Sequence, residues 1–359
     1  MPRRIPSVPR GSALAVLLLA VGGGALECSR QELTREAKHG QELYGRMCAV
    51  CHGEGGEGYR ADQAPAIGHA AFLGSVSEEF LRVAITNGRA GTTMSAWSEH
   101  RGGPLDRADV TAVVTYLRSL HRSARPKLDE SPLRGDATRG KATFEKECVV
   151  CHGPRGRGGT SVSIGDRELL TTATNGFLRN AIRDGRAGTP MPAFAAKLGD
   201  QGVEDVLAAV RSFREQPHQQ EPEAPRKAPP LPLGPVPLHP GGPEAAGFEA
   251  HPGTTPVEVV ARELARGAKI GLLDSRAPSD YVREHIAGAV SVPFYDPSPY
   301  IAKLPKDAWL VAYCACPSAE SRALAARLAS EGFTKVTVLR EGLGVWKSKG
   351  HPMHQGEAP

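Results

Sequence analysis

The chain has 359 residues, 40% hydrophobic and 5% aromatic, with 44 Lys and Arg against 39 Asp and Glu, a net charge of +5. That length calls for two or three cores rather than one, at roughly 100–200 residues per domain. A positive charge so mild and scattered excludes the basic footprint of a nucleic-acid-binding protein.

Arg3, Arg4 and Arg10 precede an almost continuous apolar and glycine run, Ala13 to Leu26. The run falls short of the about 20 residues that span a bilayer. Residues 1–27 therefore read as a secretory signal peptide, which places the rest of the chain outside the cytoplasm, periplasmic or anchored on the periplasmic side. Cys28 follows directly and resembles the lipid-attachment cysteine of bacterial lipoproteins, although Glu27 stands where that pattern has a small residue. Cys28 is thus a candidate membrane lipid anchor, with ordinary cleavage as the alternative.

Residues 33–122 and 134–215 form an internal duplication. Gly40–Tyr44 and Gly140–Phe144 each precede a C-x-x-C-H, at Cys48–His52 and Cys148–His152; Gly88–Trp97 matches Gly185–Phe194. Each copy closes on a helical stripe, Val110, Val113, Val114, Leu117 and Leu120 in the first and Val203, Val206, Leu207, Val210 and Phe213 in the second. Each copy thus reads as a helix, the cysteine motif, a long Gly-rich loop, a methionine loop and a closing helix.

Ten prolines between Gln216 and Pro243 mark residues 216–253 as an extended linker. Beyond it the pattern changes. Val257–Ala265 and Ser321–Ser330 read as helices; Ile270–Asp274, Val290–Pro293, Trp309–Cys314 and Val336–Leu339 read as short buried strands. The alternation predicts an α/β domain with a parallel sheet over residues 254–353.

C-x-x-C-H is a haem-attachment signature. Its two thiols add across the two vinyl groups of one porphyrin, and the following histidine ligates the iron. Cys48 and Cys51 with His52, and Cys148 and Cys151 with His152, are therefore two predicted haem c sites. A zinc ribbon would place its cysteine pairs about 15–20 residues apart, whereas these lie one hundred apart inside a repeat. Methionine with histidine is the usual axial pair of cytochromes c. Of the four methionines after Met1, Met94 and Met191 stand at equivalent places in the repeats. They are the candidate sixth ligands, with His69 or His100 as substitutes for Met94.

On these residues both repeats resemble class I cytochrome c domains. The resemblance implies two all-α domains whose first and last helices cross, at Gly40 with Tyr116 and at Gly140 with Phe213, and an electron-transfer function with donor and acceptor proteins as partners.

Leu272–Arg276, Glu284–Pro293, Ala312–Pro317 and Arg340–Trp346 together resemble a rhodanese-like domain. The resemblance implies a strand-end cysteine whose thiolate accepts sulfane sulfur from thiosulfate or a persulfide. The strand-end position favours Cys314. Cys316 is the alternative, and its C-x-x-x-x-x-R spacing to Arg322 resembles the oxyanion loops of cell-cycle phosphatases and arsenate reductases. Cys314, Cys316 and Arg322 are the candidate catalytic set; Asp274, Arg276 and His285 read as structural. The whole is expected to be an exported dihaem cytochrome joined to a sulfur-handling domain. A pure electron carrier with a non-catalytic rhodanese module, or an oxyanion enzyme, are the alternatives.

Overall fold

The computed structural model describes residues 32–58, 64–89, 92–121, 125–215, 234–236, 238–315 and 318–359. The predicted signal peptide, Cys28, most of the proline-rich stretch and Cys316 lie outside the described residues.

The first repeat starts at Thr34, whose hydroxyl caps helix α1 (Arg35–Met47) by accepting from the Ala37 N–H. The C-x-x-C-H turn forms α2 (Ala49–His52). Two helices follow, α3 (Ala70–Ser75) and α4 (Glu78–Asn87), and then the closing α5 (Arg107–Leu120). The second repeat reproduces the series as α6 (Ala137–Glu147), α7 (Val149–His152), α8 (Arg167–Thr172), α9 (Asn175–Asp184) and α10 (Ala195–Ser212). The loop expected between the cysteine and methionine motifs therefore contains two helices in each copy. Three of these four helices start at side chains that accept from the backbone, Ser77 from Phe80 N, Asp166 from Leu169 N and Thr174 from Phe177 N, while α3 starts at His69 without one.

In each repeat the first and last helices cross at a glycine. A Cβ on Gly40 would stand 1.9 Å from the Ala112 carbonyl oxygen, and one on Gly140 1.8 Å from that of Asp205. An aromatic pair lies beside each crossing, Tyr44 with Tyr116 at 5.3 Å and Phe144 with Phe213 at 5.0 Å between centroids. The glycines thus meet backbone about one turn before Tyr116 and about two turns before Phe213, and the aromatics pair with one another. On the closing helices Arg118 donates to the carbonyls of Leu73 and Val76, and Arg211 to those of Leu170 and Ala173. Each arginine thereby ties α3 or α8 to the crossing, satisfying carbonyls that a helix end leaves without intrahelical donors.

The repeats face each other through a layered stack. Phe80 on α4 and Phe177 on α9 lie 5.3 Å apart, the Arg89 guanidinium covers Phe80 at 4.6 Å, and that of Arg186 covers Phe177 at 4.8 Å. The arrangement respects the repeat, since both arginines follow the glycine that ends their helix.

The remaining elements alternate: β1 (Thr254–Thr255), α11 (Val257–Ala265), β2 (Ile270–Asp274), α12 (Pro278–Arg283), β3 (His285–Ile286), β4 (Val290–Ser291), α13 (Ser298–Ile301), β5 (Trp309–Tyr313), α14 (Ala319–Ser330), β6 (Val336–Leu339), α15 (Gly342–Ser348) and β7 (Met353–His354). Five strands form one parallel sheet, ordered β1-β6-β5-β2-β4. Every residue of β2 is buried, as expected for a central parallel strand covered on both faces. Part of the stretch read as linker belongs to this domain: Leu238 N donates to Ile270 O, and Phe248 is buried against Trp309. Apolar residues between the prolines, Val236 and Phe248 among them, supply the burial that a solvated linker lacks.

Two predictions test the helix crossings. Gly40→Ala should destabilise the first repeat by about 1–3 kcal/mol through overpacking. Gly45→Ala, on the same helix with nothing within 4 Å of its Cβ, should stabilise it by about 0.5–1 kcal/mol; denaturant midpoints read both. In the second repeat Asp205 accepts two bonds from Arg139, at 2.8 and 2.9 Å, and one from Asp136 N. The Arg139 bonds lead in holding its carboxyl down at about 2. Its contribution should therefore be present above the ordinary carboxylate range and lost as pH falls from about 4 to about 2. Asp205→Asn should flatten that part of the stability profile.

Candidate functional site

Cys48 ends α1 and begins α2, so its thiol, that of Cys51 and the His52 ring issue from one helical turn. The His52 ring is buried, and its Nδ1 lies 3.0 Å from the Pro65 carbonyl oxygen. A carbonyl can only accept, so Nδ1 carries the proton and Nε2 keeps its lone pair. His152 repeats this with the Val162 carbonyl at 2.9 Å. Burial lowers the pKa of both rings, which favours the neutral form a metal requires. None of the four thiols is joined in a disulfide. Burial pushes Cys48 up to about 12 and Cys148 up to about 11. A redox dithiol works through a depressed thiol pKa, which neither shows. The donor set of two thiols and a pre-oriented imidazole on one turn fits a covalently held haem, twice.

The methionine segments are built alike. Gly88 and Gly185 take φ of +68° and +66°, which only glycine adopts freely, and let the chain fold back so that Arg89 N donates to Met94 O and Arg186 N to Met191 O. Thr92 and Thr189 then accept from the methionine N–H groups at 3.2 Å. Met94 and Met191 are both half-buried. Of the alternative ligands, His69 caps α3 and rests against Gly188 of the other repeat, and His100 is exposed on a turn.

In the α/β domain Cys314 lies immediately after β5 and is fully buried, its Sγ 3.5 Å from the Ser321 hydroxyl. Its carbonyl accepts from Leu343 N at 3.0 Å. Arg322 is exposed, and its Nε donates to Ser318 Oγ at 2.8 Å. Asp274 and Arg276 form a buried pair, 2.6 Å between Oδ2 and Nη2, and Arg276 also donates to Glu284 O. Burial opposes the guanidinium charge, but attraction to Asp274 outweighs it and its pKa is raised. His285 stacks on Tyr281 at 3.8 Å and faces two backbone carbonyls.

The α/β domain is seated on the first repeat at the methionine segment, a contact that the sequence reading missed. Ser95 donates to Asp280, Ser279 donates to Ala96 O at 3.3 Å, and Trp97 meets Tyr295 at 5.6 Å. Helix α14, which follows the Cys314 loop, packs against α2.

Residues 35–117 and 135–208 match the family of cytochrome c oxidase, cbb3-type, subunit III, and residues 257–349 match the rhodanese-like domain. The chain carries two cytochrome c domains followed by a rhodanese-like domain. Cytochromes c hold their haem covalently and transfer electrons. Among relatives, a cbb3-type cytochrome c oxidase subunit CcoP of Azospirillum brasilense is 27% identical over 48% of this chain and 61% of its own length. A subunit FixP of Bradyrhizobium sp. is 28% identical over 57% of this chain and 70% of its own. This chain thus spans about three-fifths of the first of these relatives. A rhodanese-like domain from Anabaena is 30% identical, with a TM-score of 0.27, covering 29% of this chain and 79% of that one. No helix among the described residues is long and apolar enough to cross a membrane.

Asp274→Asn should leave the Arg276 charge buried without its partner and destabilise the rhodanese-like domain by about 3–5 kcal/mol. Asp307→Asn, which removes the exposed partner of Lys269, should cost under about 1 kcal/mol. Urea midpoints of the two variants make the comparison.

Proposed function

We propose that this chain is an exported dihaem c-type cytochrome in which the rhodanese-like domain handles sulfane sulfur and delivers electrons to the haems. Cys48, Cys51 and His52 would hold one group, and Cys148, Cys151 and His152 the other, with Met94 and Met191 as sixth ligands. The observation that carries the dihaem reading is the Nδ1–H bond of each histidine to a backbone carbonyl, which leaves both Nε2 lone pairs available. Each haem supplies a one-electron couple when bound.

The support for coupling is the seat of the sulfur domain on the Met94 segment together with the packing of α14 against α2. A thiolate of the Cys314/Cys316 loop and a hydrosulfide ion would form one S–S bond, releasing one proton and two electrons; the persulfide stays on the cysteine until an acceptor takes its outer sulfur. Two one-electron carriers match that stoichiometry. Relatives named as cbb3-type oxidase subunits support a membrane-bound redox complex as partner, and the apolar N-terminal run supports export.

A second reading has support of its own. Cys314 is fully buried and Arg322 faces solvent, which favours a rhodanese-like domain that docks without catalysis.

The deciding measurement is a visible spectrum of the air-oxidised protein before and after hydrosulfide, with haem counted per chain. Two haems are expected, together with a methionine–iron charge-transfer band that Met94→Ala and Met191→Ala each diminish. Haem reduction by the sulfur compound should slow at least tenfold in Cys314→Ser or Cys316→Ser. Two haems with equal rates in parent and variants would favour the docking reading; fewer than two haems from a host with competent haem-attachment machinery would overturn the dihaem reading.

A further inference from the structure

The two repeats match in sequence but not in what covers them. In the first, Ser95, Ala96 and Trp97 are buried under the α/β domain, and Val50, between the two cysteines, is half-buried where α14 lies on α2. In the second, the counterparts Pro192 and Ala193 are exposed and Phe194 is half-buried, and Val150 is 75% exposed, one of two exposed large hydrophobic side chains among the described residues. A lone exposed valine is ordinary; one whose counterpart in the same chain is covered by another domain is a vacant copy of an occupied surface.

The charges differ in the same sense. Residues 139–157 hold Arg139, Lys141, Lys146, Arg155 and Arg157 against Glu145 and Glu147, five positive minus two negative, or +3. The matching residues 39–57 hold Arg46 against Glu42, Glu54 and Glu57, one minus three, or −2 with His39 neutral. Arg139 is engaged by Asp205, but Lys141, Lys146, Arg155 and Arg157 are all exposed, and Glu147 is paired with Lys197.

We propose that Val150 and the exposed basic residues of the same segment, Lys141, Lys146, Arg155 and Arg157, form the docking face for an acidic one-electron redox protein. The apolar centre excludes water and the basic rim steers the encounter, a division that sets association rate more than affinity. The first repeat is closed to such a partner because the rhodanese-like domain occupies its equivalent face. This proposal rests on the dihaem reading, and its test separates the two.

The test is the second-order rate at which reduced flavodoxin, an acidic one-electron protein, reduces the full haem-loaded chain. Docking is the same step in either direction of transfer, so a donor probes the face as well as an acceptor. Haem content and reduction by dithionite are read first, and a parent chain with one haem sinks the dihaem reading before any partner is added. With two haems present, the rate should fall with ionic strength and drop about tenfold at low salt in Val150→Asp and in Lys146→Glu. Lys127→Glu, an exposed charge between the repeats, should stay within twofold of the parent. If Val150→Asp loses haem, Lys146→Glu decides alone. Haem-replete variants that react at the parent's rate, or a rate that rises with salt, would overturn the docking face.

Discussion

The structure of each repeat depends on a helix crossing made without a side chain. Gly40 against the Ala112 carbonyl, and Gly140 against that of Asp205, bring two helices closer than any Cβ allows. The consequence is local. Helix α1 ends at Cys48 and α6 at Cys148, so the crossing fixes where the cysteine turn begins and therefore where both thiols and the histidine stand. Tyr44, one turn further along, donates to Gly53 O at 2.8 Å and so holds the far end of that turn. Arg118 and Arg211 carry the same frame outward to α3 and α8. Closest packing, cysteine placement and histidine orientation are in this sense one constraint.

Much of this was legible in the sequence because it is written in residue types with few other uses. The C-x-x-C-H turns, the scarcity of methionine and the doubled Gly-Arg-Ala-Gly-Thr segment point to their chemistry without a structure. The four short helices between them were not legible, since α3 and α8 have only six residues each and show too little periodicity to register. Capping side chains at Ser77, Asp166 and Thr174 were the available signal for three of them, and α3 has none. The buried phenylalanines of α4 and α9 lie in amphipathic helices of ten residues, and they are visible in retrospect as equivalent positions of the repeat. Proline density between 216 and 243, and the linker bound carried on to 253, concealed that Val236 and Phe248 are core residues, because composition describes the backbone and says nothing of single apolar side chains that find a groove.

Nor did the sequence announce which repeat would carry the α/β domain, yet two substitutions account for it. The segment after the methionine reads Ser-Ala-Trp in the first copy and Pro-Ala-Phe in the second. Ser95 supplies a hydroxyl that donates to the buried carboxyl of Asp280, and Trp97 supplies a larger ring for Tyr295. Pro192 has neither a hydroxyl nor a backbone N–H to offer. A buried Asp280 facing the second copy would keep Arg283 on one oxygen but leave the other without its donor, at a cost of about 1–3 kcal/mol. Specificity between two nearly identical faces thus comes from satisfying one acidic group.

That choice bears on direction. A protein that duplicates an electron-transfer domain and keeps both faces open gains two equivalent ports and no order between them. Covering one copy by a domain of different chemistry removes the equivalence. Whatever reaches the first repeat must come through the rhodanese-like domain or around it, while the second stays open and basic. The Phe80–Phe177 contact, capped by Arg89 and Arg186, joins the two repeats between those ends. Asymmetry in this duplicated chain is therefore carried largely at its outer surfaces, and the symmetry of the repeat is kept at the Phe80–Phe177 pair with its two arginines.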